Sequence, residues 1–376
     1  MIGRRDGLKI RADIVAGLAV SGLMLPEAVA YATIAGVGPG HAILAAIVGT
    51  LAYALAGRSR FAIVSATSSS AAILAASLAT LPGGAGVRAL FLIVAVAFAG
   101  LLFLLAWIFR LGGLTGFISH PVLRGFAFGL AITICVKQLP VLTGIPPPGG
   151  SLFHTGFEVM RSLPDWHLPS LAVGLVALAA LLTLRRWPGM PGALIVLVSG
   201  VAASGLLDLG AHGVATVGRI ALMPGTSPMP AFSLALVLET AQLAVPLALI
   251  LLAESWGTMR ALALRHGDLL DPGRELRALG LANLAAALVQ GMPVGAGLSA
   301  SAANEASGAQ SRLAGAVAAL ALGALVLFAM PLVALLPQPV LAAVVIAALT
   351  HALDPRPISR LWALDRDQYI ALAAAL

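Results

Sequence analysis

The stretch that decides the fold is Pro293-Val-Gly-Ala-Gly-Leu-Ser-Ala-Ser-Ala-Ala-Asn304, which lies deep in an apolar chain. Its proline, glycines and hydroxyl residues do not favour a continuous helix. We predict an extended piece at 293–297 and a half-helix that begins near Ser299. A similar stretch, Arg60-Phe-Ala-Ile-Val-Ser-Ala-Thr-Ser-Ser-Ser-Ala-Ala72, predicts an extended piece at 61–64 and a helix start at 65–70. Paired broken segments of this kind indicate a binding site at membrane depth.

The composition around these stretches is that of membrane helices. The 376 residues are 60% hydrophobic and 10% charged, with a mean hydropathy of +1.01. A soluble surface needs about 25% charged residues. We therefore predict an all-α polytopic membrane protein embedded in the lipid bilayer. The net charge of +7 comes from basic residues in short loops that set topology, so we expect no nucleic-acid partner.

Hydropathy predicts twelve spans and the start of a thirteenth, which is truncated at Leu376. With the N-terminus inside, all of the 22 Lys and Arg residues except Arg88, Lys137, Arg161 and Arg219 fall on the cytoplasmic side. This bias supports a cytoplasmic N-terminal segment at 1–12. Arg outnumbers Lys by 20 to 2 and Ala is abundant, as in high-GC bacteria, so we expect a bacterial inner-membrane location. The expected spans are about 13–34, 41–57, a broken third to 80, 87–109, 121–139, 168–184, 190–207, 232–256, 276–290, a broken tenth to 308, 313–336, 338–352 and 359 onward.

The span map contains an internal repeat. Span 1 carries Leu25-Pro-Glu27 and span 8 carries Leu252-Ala-Glu254, while spans 3 and 10 are both broken. Spans 1–7 and spans 8 onward therefore look like two halves of a repeat. Because the first half has an odd number of spans, the second half is expected to have the inverted orientation in the membrane. A polar loop at 140–167 is expected on the outside.

Glu27 and Glu254 are carboxylates within predicted spans. An acidic residue at such a position costs about 2.5–3.5 kcal/mol on insertion scales, so a functional role is the default interpretation. We expect them to exchange a proton or bind a sodium ion during a transport cycle. The alternative is a structural hydrogen bond across the helix bundle. Glu254 is expected near the inner end of span 8.

The two half-helix starts form a second group. Free N–H groups and the helix dipole make each start a site for an anion. The hydroxyl groups that can add donors belong to Ser65, Thr67, Ser68, Ser299 and Ser301. The alternative is that small residues simply allow close helix packing. The seven His show no metal-ligand spacing, and no nucleophile–base set is present, so neither a metal, another cofactor nor enzymatic activity is expected.

Several motifs resemble those of the SulP anion permease family, the bacterial relatives of the animal sulfate and chloride transporters and prestin. They are Leu25-Pro-Glu-Ala-Val-Ala-Tyr-Ala32, Ser119-His-Pro-Val-Leu-Arg-Gly-Phe126, Glu275-Leu-Arg-Ala-Leu-Gly-Leu-Ala-Asn283 and Gln310-Ser-Arg-Leu-Ala-Gly315. The resemblance covers essentially the whole chain. It implies a seven-plus-seven inverted-repeat transporter fold with broken helices 3 and 10, commonly assembled as a homodimer.

The resemblance also implies two moving domains and a site. A core domain at 13–110 and 232–336 would move against a gate domain at 111–231 and 337–376. The small anion, of the sulfate, bicarbonate, chloride or dicarboxylate class, would lie between the two half-helices. The implied binding residues are Glu27, Tyr31, Ser65, Ala66, Thr67, Ser68, Leu298, Ser299 and Ala300, with Glu27 and Glu254 implied for coupling.

Three departures from the family pattern favour coupled uptake. Glu27 stands where many relatives have Gln, Ser65-Ala66 where many have Gly-Pro, and Ala300 where many animal members have Arg. An extra carboxylate and a missing positive charge favour H⁺ or Na⁺ as a balancing ion. The STAS domain usual in the family is not expected in this chain, which indicates a fragment or a degenerate member. A nucleobase-type permease of the same general fold and a non-transporting anion-binding membrane protein remain as alternatives.

Overall fold

The computed structural model describes residues 2–80, 85–113, 120–148, 152–187, 190, 192–218, 220–222, 234–350 and 353. Most of them are helical, and two short strands interrupt the helices. The helices are α1 (Ile2–Ala35), α2 (Pro39–Ala56), α3 (Ser68–Thr80), α4 (Ala85–Ile108), α5 (His120–Thr143), α6 (Leu152–Arg161), α7 (Leu168–Leu184), α8 (Gly192–Leu207), α9 (Leu234–His266), α10 (Pro272–Leu288), α11 (Leu298–Ala306), α12 (Leu313–Phe328), α13 (Met330–Ala334) and α14 (Gln338–Leu349). The strands are β1 (Val64–Ala66) and β2 (Val294–Ala296).

Most predicted spans coincide with helices to within a few residues. Helix α1, however, begins at Ile2, within the predicted N-terminal segment 1–12, and the predicted span 313–336 comprises α12 and α13. Helix α9 is also longer than expected. It continues to His266, so Arg260 and Arg265 belong to the helix and not to a loop. The helix ends where Gly267 adopts a φ of 68°, a left-handed conformation that suits glycine after a helix terminus. Glu254 therefore lies three helical turns before the end of α9, and its expected place near that end was wrong.

The segment 140–167 was predicted as a polar loop, and this was wrong in part. Helix α5 continues past Pro140 to Thr143, and α6 and a 3₁₀ turn at Leu163–Asp165 lie within the segment. Pro140 has no N–H to donate to the preceding turn, and it lies in the last turn of α5. The hydroxyl group of Thr143 donates to the Leu139 carbonyl at 2.9 Å and supports that end.

The broken segments are a combination of strand and helix. The half-helix of the first segment begins at Ser68, inside the predicted range 65–70, and the extended piece continues to Ala66 as β1, two residues beyond the expected end at 64. The second was predicted more closely, since α11 begins at Leu298. Three extended residues advance about 10 Å, as far as six or seven helical residues, so a strand and a short helix can together match a span.

Four helices in the described part of the chain are long and apolar enough to cross a membrane by themselves. They are Lys9–Ala35, Pro39–Ala56, Gly86–Ile108 and Thr240–His266. The other apolar helices have 10–17 residues. The predicted thirteenth span from 359 onward lies outside the described residues, and the count of twelve complete spans remains a prediction.

The chain divides into two compact units. The first comprises residues 1–118 and 221–325, and the second comprises 119–220 and 326–376. The predicted core and gate boundaries lie within a dozen residues of these limits, while the motion of one domain against the other stays a prediction. In the first unit the order helix, helix, strand, helix, helix occurs twice, as α1-α2-β1-α3-α4 and α9-α10-β2-α11-α12. The inverted relation of the two sets remains a prediction.

Close helix packing holds the first unit together. Helix α4 approaches α10 where Gly100 faces Gly280, and a Cβ atom added at either position would lie 3.0 Å from the carbonyl oxygen of the other. Small residues at such a crossing let two backbones approach and gain dispersion contacts. The predicted packing role of small residues therefore applies to this helix pair.

Candidate functional site

The two strands join the broken segments directly. They pair antiparallel with Val64 opposite Ala296, Ser65 opposite Gly295 and Ala66 opposite Val294. The ladder is roughly 7 Å long, so α3 and α11 begin at opposite ends of one short structure. A Cβ atom added at Gly297 would lie 3.5 Å from Cγ2 of Thr67. The two half-helix starts that the sequence predicted separately are therefore neighbours in the first unit.

Side chains of three helices satisfy the outer edges of the strand pair. Thr50 Oγ1 on α2 donates to the Val64 carbonyl at 2.8 Å. Asn283 on α10 donates to the Val294 carbonyl at 2.9 Å and accepts from its N–H at 3.0 Å. Ser255 Oγ on α9 accepts from the N–H of Ala296 at 2.9 Å. Buried backbone without such partners would be costly in a membrane, so these side chains make the break in the helices possible.

Each half-helix start is bonded to a carboxylate on a long helix. Ser299 Oγ on α11 donates to Oε1 of Glu27 on α1 at 2.5 Å. Ser69 Oγ on α3 donates to Oε2 of Glu254 on α9. The pairs are reciprocal, because each serine reaches the carboxylate carried by the other half of the chain. Hydrogen bonds to an ionised acceptor are among the stronger ones in proteins.

Ser69 was not among the predicted site residues, although a signal for it is present in the sequence. Val64 and Val294 each begin a strand, and Ala66 and Ala296 each end one, so equivalent positions differ by 230 residues. The same shift carries Ser69 onto Ser299. Both segments thus have the pattern Val-x-Ala-x-x-Ser, in which the serine is the hydroxyl that bonds the carboxylate. Aligning the two broken segments would have identified it.

The two helix starts differ in how they are capped. Thr67 Oγ1 accepts from the N–H of Ser70 at 3.2 Å, and Ser70 Oγ accepts from the N–H of Thr67 at 3.0 Å. This reciprocal arrangement resembles a capping box and satisfies donors of α3. At α11 the N-cap is Gly297, and no side chain among the described residues caps the helix. The first N–H groups of α11 are therefore available to an anion.

Three predicted residues of the long helices come together. Glu27 and Tyr31 lie one turn apart on α1, and both are buried. The carboxylate of Glu254 is close enough to Glu27 to interact with it electrostatically, and both carboxylates are close enough to interact with Tyr31. Glu254 itself is partly exposed. The two carboxylates and the tyrosine hydroxyl thus belong to one group beside the half-helix starts.

The remaining predicted residues fall into different positions. Ser65 and Ala66 lie buried in β1, and the Ser65 hydroxyl is 3.4 Å from the Ala66 carbonyl oxygen. Ser301 is fully buried and accepts from the N–H of Ile63 at 3.1 Å, a contact that ties α11 to the first segment. The other residues occupy the helix starts: Ser68 is half-buried, Leu298 is exposed, Ser299 is half-buried and Ala300 is buried.

No group of three or more His, Cys, Asp or Glu residues in the described ranges could hold a metal ion. The chemistry of the group around Glu27 and Glu254 is that of carboxylate and hydroxyl oxygens beside free N–H groups. Such a set can bind an anion through N–H and O–H donors. It can also bind a proton or a hard cation through its oxygens.

The sequence comparisons match nearly the whole chain. A model of the sulfate permease family matches residues 10–375. A probable sulfate transporter of Mycobacterium tuberculosis is 32% identical over 370 residues, which cover 97% of this chain and 66% of the relative. The chloroplastic sulfate transporter 4.1 of Arabidopsis thaliana is 26% identical, and the match covers 95% of this chain and 53% of the relative. The chain thus spans about half to two-thirds of the length of these curated relatives.

The structural comparisons give the same fold. The transmembrane domain of the cyanobacterium bicarbonate transporter BicA superposes with a TM-score of 0.80 at 21% identity, covering 98% of this chain and 94% of that one. The murine solute carrier 26 family member A9 anion transporter, in its inward-facing state, gives a TM-score of 0.81 at 19% identity, with 97% and 63% covered. These likenesses confirm the predicted helical polytopic membrane fold. With the match of the family model to nearly every residue, they confirm the resemblance found in the motifs, and the chain belongs to the sulfate permease family.

Proposed function

We propose that this protein carries a small anion across the membrane by secondary active transport with alternating access. The observation that supports it best is the uncapped start of α11 beside the two reciprocal Ser–Glu pairs. Sulfate, bicarbonate, chloride and dicarboxylates can all bind such donors. The names of the relatives favour sulfate and bicarbonate among these candidates.

Electrostatics supports a coupling ion. Two like unit charges 4 Å apart repel by about 4 kcal/mol at an effective dielectric constant of about 20. A helix N-terminus stabilises an anion by about 0.3–1 kcal/mol, or up to about 2 kcal/mol when partly buried. An anion near ionised Glu27 and Glu254 would therefore be repelled more strongly than one helix start attracts it. Neutralisation of a carboxylate by H⁺ or Na⁺ removes this repulsion, so the cation and the anion would bind together.

The serine hydroxyl groups connect the two binding events. While Glu27 is ionised, it can only accept, and the O–H of Ser299 is directed to it. A protonated or sodium-bound carboxylate no longer needs that donor. The Ser299 hydroxyl can then rotate toward an anion held by the N–H groups of α11. Ser69 and Glu254 offer the same exchange at α3.

Uptake into proteoliposomes tests this function. Radiolabelled sulfate and bicarbonate are supplied with an inward proton gradient, an inward sodium gradient or neither, and Glu27→Gln and Glu254→Gln are compared with the unaltered protein. We expect uptake to be accelerated by one of the gradients. The variant of the coupling carboxylate should lose that acceleration, because glutamine cannot take up a proton and carries no charge for sodium.

Two outcomes would overturn the proposal. Equal uptake with and without both gradients would contradict coupling. Anion-dependent thermal stabilisation without any uptake would identify a protein that binds an anion and does not transport it. Excess uracil serves as a competitor control, since competition by uracil alone would indicate the nucleobase alternative.

We also propose the membrane location, the orientation and the oligomeric state of the transporter. The bias of basic residues supports a cytoplasmic N-terminus, and the excess of Arg over Lys supports a bacterial inner membrane. A homodimer is proposed because the resemblance to the family implies one. Cross-linking in native membranes and protease protection of an N-terminal tag would test both statements.

A further inference from the structure

Helix α6 has three distinct faces although it is ten residues long. Thr155 and Val159 are buried on one face, and a Cβ atom added at Gly156 would lie 3.8 Å from Val136 of α5. This face packs against the protein. Val136 lies seven residues before the end of α5 at Thr143. Helix α6 therefore folds back alongside the last turns of α5.

The second face of α6 is apolar and exposed. Phe153, Phe157 and Met160 are 86%, 64% and 69% exposed, and their spacing of four and three residues places them on one side of a helix. Exposed apolar side chains of this size and regularity would order water if they faced it. The chain then continues through Leu163 and Leu168, which are also exposed.

The third face is polar. At about 100° of rotation per residue, His154, Glu158 and Arg161 lie about 80–140° around the axis from Phe153, and Glu158 lies 4.0 Å from Arg161. The order around the axis is therefore protein, apolar exposed and polar exposed. A helix in water needs two faces, one packed and one polar. A third, apolar face indicates a third environment.

We propose that α6 lies in the boundary between lipid headgroups and acyl chains, with Phe153, Phe157 and Met160 in the acyl chains. The chain is an integral membrane protein, and α6 is joined by short connections to the apolar helices α5 and α7. The contact with Val136 places α6 about 10 Å from the end of α5. Interfacial amphipathic helices bury their apolar face about 5–10 Å into this boundary. The topology prediction assigns this boundary to the outer leaflet.

Spin-label accessibility in proteoliposomes tests the placement. Cys135 is the one cysteine in the sequence, so Cys135→Ser provides the background. Labels are attached at Phe157→Cys and at its neighbour Glu158→Cys. Val176→Cys on the exposed side of α7 gives a lipid reference, and Ala211→Cys in an exposed turn gives an aqueous reference. The vesicles contain phosphatidylethanolamine and phosphatidylglycerol, and collision rates are measured with oxygen and with a water-soluble nickel chelate.

We expect the ratio of oxygen to nickel collisions to be several-fold higher at position 157 than at 158. The value at 157 should lie between the lipid and aqueous references. Equal ratios at both positions, close to the aqueous reference, would place α6 in water and overturn the proposal. Low collision rates with both reagents at 157, together with dipolar broadening between labels, would show that a second copy of the chain covers this face instead. The α7 label confirms in each case that the protein is folded and inserted.

Discussion

Single hydroxyl groups decide how the site holds its carboxylates. Ser299→Ala removes the donor to Glu27, and Ser69→Ala removes the donor to Glu254. In the proposed exchange each hydroxyl turns from its neutralised carboxylate to the bound anion, and a hydrogen bond to a charged group contributes about 1.5–3 kcal/mol. We therefore expect either change to weaken anion binding by roughly ten- to a hundredfold. The measurement is the concentration of sulfate or bicarbonate that gives half of the maximal thermal shift.

The matched control at this scale is Ser65→Ala. The Ser65 hydroxyl donates to the neighbouring Ala66 carbonyl oxygen at 3.4 Å and not to a carboxylate. The Ser65→Ala substitution should therefore change the half-saturating concentration of sulfate or bicarbonate little. A larger loss with Ser65→Ala than with Ser299→Ala would contradict the assignment of the donors and favour the ladder itself as the anion site.

The strands β1 and β2 depend on side chains of neighbouring helices for their outer hydrogen bonds. Asn283→Leu would leave both the N–H and the carbonyl of Val294 without their partner. Each unsatisfied buried group costs about 1–3 kcal/mol, so the melting temperature in detergent should fall clearly. Gln310→Leu is the control, because Gln310 is exposed and exposed substitutions usually change stability by less than about 0.5 kcal/mol. Equal melting temperatures for the two variants would show that the strand pair needs no support from α10.

The two halves of the sequence fold as one molecule in the first unit. Its ladder pairs β1 of one half with β2 of the other, and both Ser–Glu bonds cross between the halves. If the chain is cut within 223–233, we expect neither piece to be protease-resistant alone. Co-expressed pieces should co-purify through a tag on one of them. A single piece that is monodisperse and as heat-stable as the intact chain would contradict this interdependence.

The sequence was sufficient to predict the breaks in the helices, the presence of the long helices and the positions of Glu27 and Glu254 within them. These features depend on local composition. Proline, glycine and serine disfavour a helix wherever they cluster, and an acidic residue in an apolar span is visible by itself. Gly267 also carried a readable signal for the end of α9, but the acidic and basic residues before it suggested a loop. The roles of Thr50 and Asn283 could not be predicted, because a bond to the backbone of a distant strand depends on tertiary packing. Helix α6 was missed because its pattern is too short to be distinguished from a polar loop.

Gly297 leaves the first turn of α11 without a side-chain acceptor, and this has a consequence for what the protein can select. A Cβ atom at this position would make an ordinary contact with Thr67 at 3.5 Å, so steric crowding does not require glycine here. An aspartate would supply a carboxylate to the N–H groups of the helix, as it commonly does at this position. It would be a tethered competitor that occupies the same donors as any incoming ligand. Because Gly297 carries no side chain, the N–H groups in the first turn of α11 stay available to the proposed anion.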